Sequence, residues 1–364
     1  MSYKIIPIAD LPGHHDRAWH LAWNPVKPLL ASCSADKTVR LYSYSNTTTP
    51  EDSSSSELVF KSITSIPTGH TKSVRSVAWA PSGKTLATAS FDSNIGIWER
   101  EAEGEADDWE CISTLEGHET ECKSISYSAS GNLLASCSRD KTVWIWEVHP
   151  DGDFETISVL MEHTQDVKCV AWHPHEEILA SASYDDTIKL YIEDPSDDWY
   201  CFSTLSDHTA TVWSISWAPG EEQGSYFASG SDDTTVRIWK RTAAHKWENV
   251  LVLGGHERSV YSVNWGRASK GRTKDEQGNH ILGWLASAGG DGAILVWELS
   301  EPAGEQAPKQ KLIASLPSAH SVHDVNSVVW CPREGFEDIL ATVGDDGHAK
   351  VWKIVPSTTD TPAS

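Results

Sequence analysis

The stretch from His70 to Arg100 reads HTKSVRSVAWAPSGKTLATASFDSNIGIWER, and it decides the fold because its pattern recurs along the whole chain. Apolar residues alternate with polar ones in three short runs, and they are mostly β-branched or aromatic, as is typical of half-buried strands. A Ser-Gly pair separates the first two runs, and Phe91-Asp92 marks a tight turn before the third. A fourth run, CISTLEGH, precedes the next histidine, so each unit predicts four consecutive β-strands.

The repeat is defined by an Ala-[Ser/Thr]-x-x-x-Asp motif, with an aromatic residue six positions after the aspartate. The seven aspartates are Asp36, Asp92, Asp140, Asp185, Asp233, Asp291 and Asp346. The aromatics that follow them are Tyr42, Trp98, Trp146, Tyr191, Trp239, Trp297 and Trp352. Upstream aromatics occur at Trp23, Trp79, Tyr127, Trp172, Trp217, Trp265 and Trp330. Each of these follows a histidine by nine or ten residues, namely His14, His70, His118, His163, His208, His256 or His320.

The period of the repeat identifies the architecture. Seven units in 364 residues average 52 residues each, which is about the length of a four-stranded propeller blade. The sequence therefore predicts an all-β, seven-bladed β-propeller over residues 1–356, with residues 357–364 as a disordered tail. The last unit lacks a fourth strand, and Tyr3–Leu11 precedes His14 with the spacing of one. We expect this N-terminal strand to close the last blade and remove its exposed edge.

Composition excludes several functions. The chain carries 29 Lys+Arg against 52 Asp+Glu, a net charge of −23, which opposes binding to nucleic acid or anionic membranes. Its start, MSYKIIPIAD, contains no apolar signal core, so we expect a cytoplasmic and nuclear protein. The seven cysteines show no Cys-x-x-Cys spacing, which predicts neither a disulfide framework nor a bound metal, and no cofactor is expected.

The repeated His, Ser/Thr and Asp resemble the components of a hydrolytic triad. An enzyme needs one triad rather than seven, so the pattern favours a buried hydrogen-bond network inside each blade. In blades two and three the predicted network residues are His70, Thr88, Asp92 and Trp98, and His118, Ser136, Asp140 and Trp146. The protein is accordingly predicted not to be an enzyme.

Two positions in each blade are predicted to lie on the top face, where the turns between second and third strands meet the links between blades. One position, four residues before the first aromatic, is called the ring position here. It is occupied by Trp19, Arg75, Lys123, Lys168, Trp213, Tyr261 and Asn326. The other directly precedes the turn aspartate and includes Phe91, Arg139 and Tyr184. Since Arg, Trp and Tyr commonly anchor interfaces, the predicted partner-binding residues are Arg139, Arg75, Lys123, Lys168, Phe91, Tyr184, Trp213, Tyr261 and Trp19.

Longer connections are predicted on the opposite, bottom face. They are Ser45–Glu57, Glu101–Asp108 and Gly266–Gly283. The last contains Arg267, Lys270, Arg272 and Lys274, a basic cluster that is either a solvated loop or a site for an acidic partner or phosphate.

These repeats resemble the WD-repeat β-propeller family, although no unit carries a literal Trp-Asp pair. Nearly the whole chain is similar to the WD-repeat subunit of the cytosolic iron–sulfur protein assembly machinery. The most specific similarity lies within residues 115–191, in SGNLLASCSRDKTVWIWEV, EHTQDVKCVAWHP and LASASYDDTIKLY. The long blade-one loop and the blade-six insertion depart from the animal-like pattern.

The resemblance implies a non-catalytic scaffold in a late-acting targeting complex. Implied partners are a small cysteine-bearing adapter, a large helical-repeat subunit, a hydrogenase-like cluster carrier and the apo iron–sulfur client proteins that receive [4Fe–4S] clusters. Arg139 matches a top-face arginine regarded as functionally important in this family. The alternative is a WD-repeat substrate receptor or adapter of another complex, such as a ubiquitin ligase.

Overall fold

The structure is a computed structural model that describes residues 2–48, 56–100, 108–220, 225–269, 271–304 and 307–357. Every regular element within these ranges is a β-strand. No helix in the described part of the chain is long and apolar enough to cross a membrane. The predicted tail falls mostly outside the described residues, which end at Ser357.

Twenty-eight described strands form seven antiparallel sheets of four strands, confirming the predicted seven-bladed propeller. Blade one contains β2 (Ala18–Trp23), β3 (Leu29–Ser34), β4 (Thr38–Thr48) and β5 (Ser56–Pro67). Blade two contains β6 (Val74–Trp79), β7 (Thr85–Ser90), β8 (Ile95–Arg100) and β9 (Trp109–Leu115). Blade three contains β10 (Cys122–Tyr127), β11 (Leu133–Ser138), β12 (Val143–Val148) and β13 (Phe154–Leu160). Blade four contains β14 (Val167–Trp172), β15 (Leu179–Ser183), β16 (Ile188–Glu193) and β17 (Trp199–Leu205).

The last three blades follow the same order, with one exception at the end. Blade five contains β18 (Val212–Trp217), β19 (Tyr226–Ser231), β20 (Val236–Ala243) and β21 (Lys246–Leu253). Blade six contains β22 (Val260–Gly266), β23 (His280–Gly289), β24 (Ile294–Glu301) and β25 (Lys309–Leu316). Blade seven contains β26 (Val325–Trp330), β27 (Ile339–Gly344), β28 (Ala349–Pro356) and, as its outer strand, β1 (Tyr3–Leu11).

Closure of the ring by the N-terminal strand is confirmed. β1 pairs antiparallel with β28, with Tyr3 opposite Pro356 and Leu11 opposite Ala349. Ile5 is buried in an apolar cluster shared by blades six and seven. The first described strand therefore completes the last blade, which links the two ends of the repeat.

The core lies between neighbouring blades, and the first aromatic of the repeat fastens one blade to the one before it. The indole Nε1 of Trp79 donates to the carbonyl oxygen of Ala22 at 3.1 Å, and Trp172 donates to Ser126 at 3.1 Å. Trp23, Trp217 and Trp330 make the equivalent bond. Because these donors are largely removed from water, each bond contributes about 1 kcal/mol and fixes the spacing of the inner strands.

Two of the predicted bottom connections are more ordered than expected. β4 continues to Thr48 and β5 begins at Ser56, so the prediction of a loop over Ser45–Glu57 is wrong at both ends. Residues 49–55 lie outside the described residues, as do residues 101–107 of the Glu101–Asp108 connection. The blade-six insertion ends where β23 begins at His280 rather than at Gly283.

The basic cluster of the blade-six insertion is partly structural. Arg272 Nη1 lies 2.7 Å from Glu298 Oε2 and donates to the hydroxyl oxygen of Tyr3 at 2.7 Å. The buried carboxylate of Glu298 also accepts a hydrogen bond from Trp284 Nε1 at 3.1 Å. Arg272 therefore links blade six to β1 through its contacts with Glu298 and Tyr3. Lys270 lies outside the described residues.

Candidate docking face

The repeated polar residues form one hydrogen-bonded chain in each blade. In blade three, Trp146 Nε1 donates to Ser136 Oγ at 3.0 Å, and Ser136 contacts His118 Nε2 at 2.9 Å. His118 Nδ1 then lies 2.9 Å from Asp140 Oδ2. Since an indole only donates and a carboxylate only accepts, a neutral imidazole here must accept from serine and donate to aspartate.

Blade two repeats this arrangement. His70 Nδ1 lies 3.1 Å from Asp92 Oδ2 and its Nε2 lies 3.0 Å from Thr88 Oγ1, to which Trp98 donates at 3.0 Å. Equivalent His–Asp and His–Ser/Thr contacts occur in the other five blades. In blade four Tyr191 replaces tryptophan, and its hydroxyl lies 3.3 Å from Ser181 Oγ, a longer contact than the tryptophans make.

The network fixes the conformation of each top-face turn. Asp140 accepts hydrogen bonds from the backbone nitrogens of Glu119 and Thr142 and from the Thr142 hydroxyl. The residue after the aspartate is held at positive φ in all seven turns, for example 75° at Lys141 and 76° at Ser93. A non-glycine residue pays for this left-handed backbone, so the aspartate network compensates for strain in the turn.

A second repeated bond places the two top-face positions side by side. The backbone nitrogen of Arg139 donates to the carbonyl oxygen of Glu121 at 2.9 Å, two residues before the ring position Lys123. The same bond joins Phe91 to Ser73 and Tyr184 to Asp166. The side chains of both positions therefore emerge from neighbouring, rigid backbone segments.

Blades one to three bring four of the predicted binding residues into one row. The guanidinium carbon of Arg75 lies 5.0 Å from the centroid of the Trp19 ring, whose centroid is 6.3 Å from that of Phe91. Lys123 Nζ lies 4.1 Å from the Phe91 ring centroid. Cations over aromatic faces at these distances are mutually stabilising, so the rings and cations of this row hold one another in place.

The row continues through blades four to six. Lys168 Nζ lies 5.2 Å from the ring centroid of Tyr184 and 5.0 Å from that of Trp213. The Trp213 and Tyr261 rings meet edge to face at 5.4 Å. Trp213 Nε1 also donates to Asp232 at 2.6 Å, which orients the indole. The name docking face is used below for Trp19, Arg75, Phe91, Lys123, Arg139, Lys168, Tyr184, Trp213 and Tyr261.

Sequence reasoning missed two carboxylates within this face. Glu121 contacts both Lys123 and Arg139, the latter at 3.4 Å. Asp166 lies 3.3 Å from Lys168 Nζ and 4.0 Å from Arg139 Nε. Both acids stand two residues before a ring lysine, a spacing that places them beside it and was readable from the sequence.

The shared carboxylates change the charge balance that composition suggested. Arg139 is 58% exposed, whereas the Lys168 side chain is 10% exposed, so Arg139 is the accessible member of the network. Burial lowers the pKa of Lys123, hydrogen bonding to Glu121 opposes this, and the charges of Lys168 and Arg75 lower it further. The cations thus repel one another across blades two to four while two acids hold them together.

Blades five to seven present acids on the same face. Asp232 holds Trp213, and Asp345 lies 3.8 Å from Arg17 and accepts from Asn326. Burial raises the pKa of Asp324, and the charge of Asp345 raises it further. The ring-position cations of the top face therefore lie in blades two to four, whereas acids occupy blades five to seven.

The central channel opens toward the bottom face. Its cavity of about 650 Å³ is lined by inner-strand residues that lie below the ring positions, including His20, Ser124, Cys169, Ser214 and Ser262. Among the described residues no group of three or more His, Cys, Asp or Glu is arranged to hold a metal ion. All seven cysteines are free thiols, and burial raises the pKa of Cys33 to about 12.

Comparison with known proteins identifies the class and then the family. A family model described as WD domain, G-beta repeat matches residues 6–43, 60–99, 109–147, 154–191, 199–240, 247–298 and 310–353. Each of the seven matched segments spans the outer strand of one blade and the first three strands of the next, so the chain is a seven-repeat WD propeller.

Three relatives narrow this class. A probable cytosolic iron-sulfur protein assembly protein 1 from Cryptococcus neoformans var. neoformans serotype D is 39% identical, over 97% of this chain and 99% of the relative. A protein of the same name from Mycosarcoma maydis is 47% identical over 137 residues, which are 30% of each chain. Protein CIA1 of Arabidopsis thaliana is 43% identical over 31% of this chain and 30% of its own length. The chain belongs to the family of cytosolic iron-sulfur protein assembly protein 1, as the sequence resemblance indicated.

Proposed function

We propose that this chain is a non-catalytic interaction scaffold of cytosolic iron–sulfur protein assembly, which helps deliver [4Fe–4S] clusters to cytosolic and nuclear apoproteins. The full-length similarity to proteins named for this process supports the role. The seven-fold repetition of the His–Ser/Thr–Asp network supports the absence of a catalytic centre, because each copy is occupied in stabilising its own turn.

The proposed partners follow from the family. They are a small cysteine-bearing adapter, a large helical-repeat subunit, a hydrogenase-like cluster carrier and apo iron–sulfur clients. The cluster is cargo of this complex, and the dispersed thiols of this chain give it no set of ligands. The proposed location is the cytoplasm and the nucleus, where those clients act.

The docking face is the proposed contact for an acidic or carboxylate-and-aromatic segment of a client or carrier. The observation that carries this assignment is the row of alternating rings and cations across blades one to six. Arg139 offers an exposed planar guanidinium for a carboxylate, and Tyr184, which is 55% exposed, offers a ring. Lys168 contacts the Tyr184 ring on one side and the Trp213 ring on the other.

Charge reversal at Arg139 tests the assignment. Arg139→Glu should keep the fold, because the side chain is exposed, and should reduce capture of clients from lysate at least about tenfold through repulsion of acidic segments. Lys84→Glu makes the same charge change on an exposed turn of the bottom face and is the matched control. Tagged pull-down with mass spectrometry measures both.

The same pull-down distinguishes the alternative function. Recovery of the adapter, the helical-repeat subunit and apo iron–sulfur enzymes supports the assembly role, whereas ligase subunits without these proteins would favour a substrate receptor. If Arg139→Glu captures clients as well as wild type does, Arg139 does not contribute to the docking face.

A further inference from the structure

Arg75 differs from every other cation of the docking face in having no carboxylate partner. Lys123 and Lys168 contact Glu121 and Asp166, and Arg139 contacts both acids. Among the described residues, Arg75 makes no ion pair, and its guanidinium packs on the Trp19 ring. Four cations therefore share two carboxylates, and the uncompensated charge is centred on Arg75.

Arg75 lies on β6, the first strand of blade two, and later residues of the same strand line the central channel. Its side chain is half-buried, and its guanidinium packs on the Trp19 ring of the preceding blade. Burial lowers the pKa of Arg75, and the thiols of Cys33, Cys169 and Cys137, from blades one, four and three, also act on it. The ring position of blade two therefore places this arginine at the top end of a channel-lining strand.

Neither these thiols nor the imidazole of His20 supplies Arg75 with a negative charge at neutral pH. Burial raises the pKa of Cys33 to about 12 and raises those of Cys137 and Cys169 as well, so these thiols stay protonated. Burial and the charge of Arg75 lower the pKa of His20 to about 4, so this imidazole is neutral. A partly buried cation without a counter-charge is costly, and it persists most readily where an anion binds.

Neighbouring residues add further positive charge and a further unpaired donor. Lys123 and Lys168 occupy the ring positions of the next two blades, close enough to Arg75 for the three charges to be coupled. The indole Nε1 of Trp19 is buried and has no acceptor among the described residues. Donors and positive charge therefore converge at one side of the channel mouth, with aromatic walls formed by Trp19 and Phe91.

We propose that Arg75, flanked by Lys123 and Lys168, forms an oxyanion-binding site at the top mouth of the central channel. The site takes one carboxylate or phosphate group, which a planar guanidinium binds through two parallel hydrogen bonds. If the proposed function holds, the natural occupant is an acidic group of the segment that docks on this face, so Arg75 rather than Arg139 is the deeper anchor.

Direct titration tests the site without any protein partner. Line broadening in ³¹P NMR reports inorganic phosphate, and acetate is titrated separately and as a competitor, each against sodium chloride of equal ionic strength. Wild type should bind at least one of the two oxyanions, and Arg75→Gln should weaken binding about 10- to 100-fold, as expected for loss of a charge-assisted pair. The tighter of the two ligands identifies the group as a phosphate or a carboxylate.

Two further variants make the test specific. Arg139→Gln removes an exposed arginine from the same face and should bind the oxyanion nearly as wild type, whereas Arg75→Lys keeps the charge without the planar fork and should be intermediate. In buffer free of oxyanions, Arg75→Gln should melt at the same temperature as wild type or higher, because it removes repulsion from Lys123 and Lys168.

Several outcomes would overturn the site. One is that neither oxyanion binds more tightly than the chloride control, and another is that wild type and Arg75→Gln bind equally well. A third is that Arg139→Gln loses as much affinity as Arg75→Gln, which would indicate that diffuse charge rather than a site attracts the anion. If Arg75→Gln melts at a lower temperature than wild type, Arg75 stabilises the fold and is not held for an anion. Because the pull-down with Arg139→Glu measures client capture separately, failure of the oxyanion site and failure of the proposed function give different results.

Discussion

At the scale of single residues, the repeated aspartate is the group on which each blade's turn depends. Burial of the Asp140 carboxyl opposes ionisation, but hydrogen bonds from His118 and Thr142 outweigh this and hold its pKa well below the usual range. The pKa values of Asp36, Asp185, Asp233 and Asp346 are lowered by the same kind of contact. The ionised carboxylate is thus the form that the folded state favours.

These shifts predict the pH dependence of stability. A carboxyl whose pKa is lower in the folded state stabilises the protein fully above its unfolded pKa of about 4, and this contribution is lost as pH falls through the folded pKa. The free energy of unfolding should therefore decline below about pH 4. Denaturant titration from pH 7 to pH 3 measures this decline.

A substitution assigns the pH effect to the network. Asp140→Asn should lower the free energy of unfolding at pH 7 by about 1–3 kcal/mol, since it weakens charge-assisted bonds to a nearly buried site. The decrease in the free energy of unfolding between pH 7 and pH 3 should also be smaller in this variant than in wild type. Asp151→Asn, in an exposed turn of the same blade, is the control, and an equal effect of both variants would contradict the network explanation.

At the scale of elements, β1 shows how a strand uses its two faces differently. Ile5 is 8% exposed and packs in the cluster that contains Trp284, Trp352 and Ile354, whereas its neighbour Ile6 is 37% exposed. Alternation of side chains across a strand produces this difference. Closure of the ring thus depends on one face of a short N-terminal segment.

The two isoleucines form a matched pair for measuring closure. Ile5→Ala should lower the free energy of unfolding by about 2–4 kcal/mol through lost burial and a residual cavity, and Ile6→Ala should change it by less than about 0.5 kcal/mol. Equilibrium unfolding in urea gives both values. Similar small effects of the two substitutions would show that β1 contributes little to closure.

At the scale of the whole molecule, closure makes each blade depend on two neighbours. The core clusters combine residues of adjacent blades, and five inner-strand tryptophans donate to the preceding blade, including Trp23 to Val329 across the junction of blades one and seven. A ring of this kind has no terminal repeat that can detach without exposing apolar surface on both sides.

Cooperative unfolding should follow from this arrangement. We expect circular dichroism and tryptophan fluorescence to report one coincident transition, which Ile5→Ala in blade seven and Asp140→Asn in blade three both shift as a whole. The two probes sample all blades, because tryptophans occur in each of them. Two resolved transitions, or probes with different midpoints, would indicate that blades unfold independently.

Charge is also organised at the scale of the molecule. The chain is strongly acidic, yet Arg75, Lys123, Arg139 and Lys168 gather on one side of the top face. Asp232, Asp324 and Asp345 occupy the other side. The face therefore offers a partner both signs of charge in fixed positions, which favours one orientation of docking over others.

Much of the fold was predictable from local patterns. Period-two alternation and the turn chemistry around each aspartate predicted the strands, and the count of repeats predicted seven blades. The long hairpin of blade one was not predicted, because its Ser- and Thr-rich sequence is typical of loops, whereas pairing of Ser45 with Val59 extends the strands. Propensity was outweighed there by continuation of an existing ladder.

The sequence by itself determined the architecture of this protein, since its repeat fixes each blade through contacts among residues close in the chain. It also placed the ring positions, because the strand period dictates which side chains point to the channel. Only the tertiary structure decided how the charges combine. Arg139 contacts Glu121 of blade three and Asp166 of blade four, whereas Arg75 contacts no carboxylate in the described part of the chain. The pairs of Glu121 with Lys123 and of Asp166 with Lys168 follow from spacing along the chain, whereas the pairing of Arg139 with Asp166 joins two blades through space, so spacing does not encode it.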